Sequence, residues 1–309
     1  MGQIGFGTWP LGGSAYGPVA EEAAVGSLTA ALDSGISLFD TADIYGSGRA
    51  EEILGRVLTK AQCVLIVSKA GYLSESGGEQ SFSERYLRRA LEGSLRRLQR
   101  EYLDVFLLHS PPEEILRCGD AFLTLDRFRD AGLVKRTGVS LRTVDSWELA
   151  LKWPHCDVIE VILNLLDQRP MDVGLLDKTA ELGISVIARV PLCFGFLSGN
   201  HPLGSSFNSN DQRSRWPHQQ VDAWIEAAER YRFLVHDQRS LAQSALAFCC
   251  CMPGVEWVIP GMKSVEQVVH NVRGGHKDSQ LSTDELRMVR DIWQSLSFLP
   301  PGSNCKRSL

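Results

Sequence analysis

The chain has 309 residues, 44% hydrophobic and 22% charged, with a formal net charge of −5, the composition of a globular protein with room for one large domain or two ordinary ones. The acidic balance, and the lack of a basic run interleaved with aromatics, exclude an electrostatic footprint for nucleic acid; RRLQR at 96–100 reads as a solvated helix face. MGQIGFGTWP lacks the n- and h-regions of a signal peptide. The longest apolar stretch, 244–262, is broken by Pro253 and Gly254 and charged by Glu256, so no membrane span is expected. The eight cysteines include no CxxC pair and no histidine at ligand spacing, which argues for reduced core thiols in a cytoplasmic protein and for no metal site.

Taken in chain order, short apolar runs alternate with longer amphipathic segments. Strands are expected over 3–9, 36–42, 63–70, 104–110, 136–141, 158–163, 185–192 and 255–261, and most are apolar throughout, as when both faces are buried. Helices are expected near 20–33, 49–59, 83–98, 113–130, 144–152, 172–182, 218–234, 238–251, 264–272 and 282–296. In the third of these, Leu87, Ala90, Leu91, Ser94, Leu95 and Leu98 share one face with arginines opposite. Ser81, three residues before Glu84, has the spacing of a capping box.

Eight βα units in series predict an α/β fold, a (β/α)8 TIM barrel of parallel strands in a single domain over 1–309, with an extra C-terminal helix. An open Rossmann sheet is disfavoured, because GFGTWPLGG at 5–13 is glycine-rich but opens no helix at fingerprint spacing. The long polar segment 198–217 is expected to be a mobile lid. The tail 300–309 is expected to be flexible, with Cys305 an exposed thiol.

The chemistry gathers at three consecutive strand ends. LFDTADIY, IVSKA and FLLHSPP each stop at ionisable side chains, which places Asp40, Tyr45, Lys69 and His109 on one barrel face. Such a set suits carbonyl reduction, which needs a hydride at carbon and a proton at oxygen. Tyr45 is the candidate acid, Lys69 the cation that would lower its pKa, Asp40 the anchor of Lys69, and His109 the group that orients the carbonyl. Taken singly, each has a plain reading: a turn cap, a packed aromatic, a solvated lysine, a core histidine. Four such coincidences at adjacent strand ends favour the functional one.

FDTADIYGSGRAEEILG closely resembles the catalytic signature of the aldo-keto reductase superfamily, and IVSKA, LLHSPP, GFGTW, GVS, PLCFGFLSG and VIPGMKSVEQVVHN resemble further family blocks in the same order. The resemblance spans essentially the whole chain. It implies NADPH bound extended across the barrel mouth, with Ser140 at the nicotinamide carboxamide and Glu160 and Arg189 beside it. Pro191, Leu192, Gly195 and Gly261 fall in matching cofactor blocks. Lys263 and Ser264 would take the 2′-phosphate, with Gln267 and Asn271 nearer the adenine. The chain departs from the family at Leu141 (commonly Asn), Glu160 (commonly Gln) and Arg189 (often Tyr); Arg189 is expected to turn towards a substrate or towards Glu160. Relatives carry a hairpin that plugs the barrel bottom, whereas GQIGFGTW begins almost at once, so that plug is expected to be missing or to lie upstream.

The leading expectation is therefore an NADPH-dependent reductase of a small-molecule aldehyde or ketone, with Trp9 and Tyr16 lining a pocket that would suit a sugar-like carbonyl. Two readings compete. A Schiff base on Lys69 would make an aldolase or isomerase, against which a paired Asp40 argues. A redox-sensing regulatory homologue that binds cofactor and turns over slowly would accommodate Leu141 and Glu160.

Overall fold

The computed structural model describes residues 3–59, 63–74 and 78–296; the expected tail and Cys305 lie outside them. Nine parallel strands form one sheet: β1 (Gln3–Ile4), β2 (Phe6–Gly7), β3 (Leu38–Asp40), β4 (Leu65–Ala70), β5 (Leu103–His109), β6 (Val134–Ser140), β7 (Val158–Ile162), β8 (Ser185–Arg189) and β9 (Val255–Ile259). The first expected strand is split at Gly5. Its first half pairs with β9 and its second with β3, so the two halves join the ends of the sheet and close the barrel. At the seam the Gly5 amide donates to the Val258 carbonyl over 2.8 Å.

Side chains alternate between the two faces of each strand. Leu38, Val67, Val105, Leu107, Val158, Ile187, Trp257 and Ile259 fill the barrel interior, while a larger apolar layer packs between the strands and the surrounding helices. Two residues beyond Leu38, Val67, Leu107, Val158 and Ile187, on the same inward face, come Asp40, Lys69, His109, Glu160 and Arg189. The period of two thus turns the last inward position of each strand into a polar layer above an apolar plug.

Several expected boundaries shift for local reasons. Ser83, not Ser81, caps the helix Glu84–Leu98, accepting from the Tyr86 amide over 3.4 Å, while the Ser81 hydroxyl meets that of Ser83. The expected helix 113–130 breaks at Gly119, whose φ of +83° ends one helix and starts the next. The C-terminal helix Thr283–Ser295 opens on a capping box formed by Ser282 and Glu285. All the described cysteines are unpaired. Among the described residues no helix is long and apolar enough to cross a membrane.

Close packing between β6 and β7 depends on Gly138, where an added Cβ would lie 1.9 Å from the Val158 carbonyl oxygen. Gly138→Ala is expected to cost about 1–3 kcal/mol, because backbone atoms of a neighbouring strand cannot yield as a side chain would. Urea unfolding should show a lower midpoint at unchanged slope; an unaltered midpoint would mean that the two strands can part at this point.

Candidate active site

The C-terminal mouth of the barrel opens into a cavity of ≈ 1060 Å³, at the upper end of small-molecule sites. Asp40, Tyr45, His109, Glu160, Arg189, Pro191, Leu192, Gly195, Gly261, Lys263, Gln267 and Asn271 line it, as do Trp9 and Tyr16. Lys69, Ser140 and Ser264 stand behind this wall. Lys69 and Ser140 support lining residues, and Ser264 caps the helix Val265–Val272 by accepting from the Gln267 amide over 3.3 Å.

Lys69 is fully buried. Its Nζ donates to Asp40 Oδ2 over 2.6 Å and to the Thr41 carbonyl over 2.9 Å, and lies 3.3 Å from Glu160 Oε2. Burial alone would depress this ammonium, but Asp40, Glu160 and Tyr45 more than reverse the effect and hold it above the ordinary lysine range. Burial pushes the Asp40 carboxyl up and Glu160 adds to the rise, while Lys69 opposes both.

Tyr45 follows the DTAD turn, and Gly46 fixes where it stands. Gly46 has a φ of +62°, and a Cβ there would lie 2.6 Å from the Gly12 carbonyl oxygen, so only glycine lets these two loops touch. The Lys69 ammonium sits 5.3 Å from the centre of the Tyr45 ring. The expected lowering of the phenol is outweighed: burial raises it most, Asp40 and Glu160 raise it further, and Lys69 and Arg189 recover only part. Tyr45 therefore carries its proton in the free protein.

His109 packs edge-on to Tyr45 and Tyr72, at ring separations of 6.0 and 5.0 Å. Burial, then Lys69 and Arg189, push its imidazole well below the usual histidine range, so it is neutral. Its buried Nδ1 has no hydrogen-bond partner.

Ser140 Oγ donates to Glu160 Oε1 over 2.8 Å. Arg189 has turned to Glu160, with Nε 3.8 Å from Oε1, and its Nη2 donates to the Leu141 carbonyl over 3.0 Å. Two buried atoms in this corner lack hydrogen bonds, the acceptor Glu160 Oε2 and the donor Arg189 Nε. Both are held by charge instead, Oε2 by the Lys69 ammonium at 3.3 Å and Nε by Glu160 Oε1 at 3.8 Å.

After Arg189 the backbone runs through positive φ at Val190, Cys193, Phe194 and Gly195, a costly conformation for a β-branched residue. The Asn164 amide holds the Val190 carbonyl over 3.1 Å. Segment 198–217 crosses the mouth and is anchored there: Arg213 pairs with Asp211 at 2.7 Å and lies over the Tyr16 and Phe207 rings, and Asp211 bridges the backbone of Tyr16. Ser198, Asn200, His201 and Arg213 face the cavity.

Sequence reasoning missed Tyr72, Arg142, Phe194 and the Arg213 anchor. Tyr72 carried a usable signal, being an aromatic just past the strand that bears Lys69. Arg142 follows Leu141 directly at the end of β6 and lines the cavity.

The family model for the aldo/keto reductase family matches residues 3–294. Aldo-keto reductase YhdN of Bacillus subtilis is 28% identical over 265 residues, 83% of this chain and 77% of the relative. Among solved structures, aldo-keto reductase AKR11C1 from Bacillus halodurans (holo form) aligns with a TM-score of 0.77 at 26% identity, over 94% of this chain and 91% of that one. Glycerol dehydrogenase AKR11B4 from Gluconobacter oxydans aligns with a TM-score of 0.79 at 25% identity, over 99% and 94%. An aldo-keto reductase from Klebsiella pneumoniae solved with NADPH aligns with a TM-score of 0.72 at 26% identity, over 99% and 94%. A parallel barrel, a polar layer at its C-terminal mouth and a family match over nearly the whole length agree: the chain belongs to the aldo/keto reductase family.

Proposed function

We propose that the protein is an NADPH-dependent reductase of an aldehyde or ketone, with Tyr45 as general acid. The observation that carries this reading is the Tyr45 ring beside the ammonium of the buried Lys69–Asp40 ion pair, facing a cavity that continues to Lys263 and Asn271. NADPH supplies the hydride when bound. Tyr45 gives its proton to the carbonyl oxygen, and the Lys69 ammonium offsets the negative charge left on the phenol. Neutral His109 donates one ring N–H to the same oxygen and orients it. Glu160 and Arg189, which line the cavity at this corner, suit the nicotinamide carboxamide. Lys263, beside the Ser264-capped helix start, suits the 2′-phosphate.

For the substrate, Trp9, Tyr16, Tyr72 and Phe194 offer aromatic faces, while Ser74, Ser110 and Arg142 offer polar groups on the same cavity. That mixture suits a polyhydroxylated, sugar-like carbonyl. The single domain over 1–309 is part of this proposal, as are all the site roles.

The test is a titration of the purified chain with NADPH and, separately, NADH, read by quenching of tryptophan fluorescence; Trp9 lines the cavity. NADPH should bind more tightly, and Lys263→Ala should weaken NADPH about tenfold while leaving NADH unchanged, as expected for loss of one charge-assisted contact. Equal loss for both cofactors would remove Lys263 from the phosphate site. A folded sample that binds neither would sink the reductase reading.

A further inference from the structure

Lys69 meets two carboxylates rather than one. Asp40 Oδ2 lies 2.6 Å and Glu160 Oε2 3.3 Å from its Nζ, and the three side chains are 4%, 2% and 0% exposed for Asp40, Glu160 and Lys69. Two carboxylates against one ammonium leave a net negative charge in a place that water barely reaches, an arrangement that a folded protein avoids unless another cation is near.

Arg189 is that cation, and its approach is built by the three departures from the family pattern acting together. Leu141 presents an apolar side chain, 2% exposed, and offers its backbone instead: its amide donates to the Glu160 carbonyl over 2.8 Å, and its carbonyl accepts from Arg189 Nη2 over 3.0 Å. Ser140 holds Glu160 Oε1, leaving Oε2 turned to Lys69. The register sets Glu160 opposite Ile187 and Ile162 opposite Arg189, so Arg189 reaches Glu160 on the diagonal along the inward face. The other ionisable groups near Arg189 leave its charge available: His109 is neutral, and Asp167 is already paired with Arg169 at 2.6 Å.

We infer that Glu160 and Arg189 form one charge-compensated unit that positions Lys69 from the side opposite Asp40, so that neither residue is tolerated at full activity without the other. The role rests on the reductase reading above. Arg189→Gln leaves two buried carboxylates on one ammonium with no second cation beside them, which loosens the geometry around Lys69. Adding Glu160→Gln removes the surplus charge while keeping polar atoms at both positions.

The experiment is a cycle of wild type, E160Q, R189Q and E160Q/R189Q in the full chain. It is read as kcat and KM with NADPH and D-glyceraldehyde, and separately as melting temperature without cofactor. R189Q should lower kcat about tenfold or more, and E160Q/R189Q should regain most of that loss. The same rescue should appear in the melting temperatures. R189K, which keeps the cation, should fall between wild type and R189Q. A double variant as slow as R189Q and melting no higher would overturn the unit, as would an R189K no better than R189Q. A wild type that binds NADPH but reduces no aldehyde overturns the reductase reading, and the melting cycle still decides whether the two residues act as one.

Discussion

Tyr45→Phe is expected to lower carbonyl reduction by about 10²–10⁴-fold while leaving NADPH affinity, read by tryptophan quenching, within about twofold of wild type. The change removes one hydroxyl from a half-buried ring and leaves the Lys69–Asp40 ion pair and the edge-on contact with His109 in place. The size of the effect follows from the lack of a substitute. His109 is kept neutral by burial and by the neighbouring cations, so it has no proton to release with ease at neutral pH. Lys69 is fully buried behind Tyr45 and does not face the cavity. If Tyr45→Phe kept most of the rate, the acid would have to be His109 or a water molecule, and the raised Tyr45 phenol would be a consequence of burial alone. If the wild type were itself nearly as slow as Tyr45→Phe, with tight NADPH retention, the regulatory reading would gain the ground the reductase reading lost.

The barrel and the polar layer were legible in the sequence for one physical reason. In a parallel barrel each strand is an apolar run whose inward positions recur every second residue, and a run that stops at an ionisable side chain places it at the mouth. That logic reaches Asp40, Lys69 and His109, and the DTAD turn adds Tyr45. It does not reach pairings between strands distant in the chain. Nothing in VIEVIL or SVIARVPL says that Glu160 lies 3.3 Å from Lys69 or that Arg189 turns to Glu160. Those contacts depend on register and on Leu141 lending its carbonyl. The Tyr45 phenol shows the same limit: a neighbouring lysine lowers it, but burial and two carboxylates win, and burial is a property of the assembled site. Boundaries slipped where a local choice had more than one solution, as with Ser83 in place of Ser81 as the cap and the break at Gly119. The split of the first strand at Gly5 shows only in the assembled sheet, where its first half pairs with β9 and its second with β3.

Lys69→Met should abolish reduction and also destabilise the fold by about 3–5 kcal/mol, the usual cost of removing one partner of a buried ion pair. Methionine fills much of the lysine volume, so the loss measures charge rather than a cavity. Asp40 and Glu160 would then face each other without their cation, beside a Thr41 carbonyl that has lost its donor. Asp40→Asn/Lys69→Met should regain much of the stability and none of the activity, which separates the structural part of Lys69 from its chemical part. The pH dependence has a definite sign. In the wild type the folded Lys69 value lies above the unfolded one, so its contribution is complete below the unfolded value near about 10.4 and is lost as pH rises through the folded value. In Lys69→Met the dominant group becomes Asp40, which burial and Glu160 raise even with Lys69 present. A carboxyl raised in the folded state binds its proton more tightly there, so acidification stabilises it. The stability deficit of Lys69→Met relative to the Asn/Met double variant should therefore shrink as pH falls from about 8 to about 5. A deficit that stayed constant across that range would mean that water or a rearranged side chain neutralises Asp40, and that the ion pair is less isolated from solvent than its burial indicates.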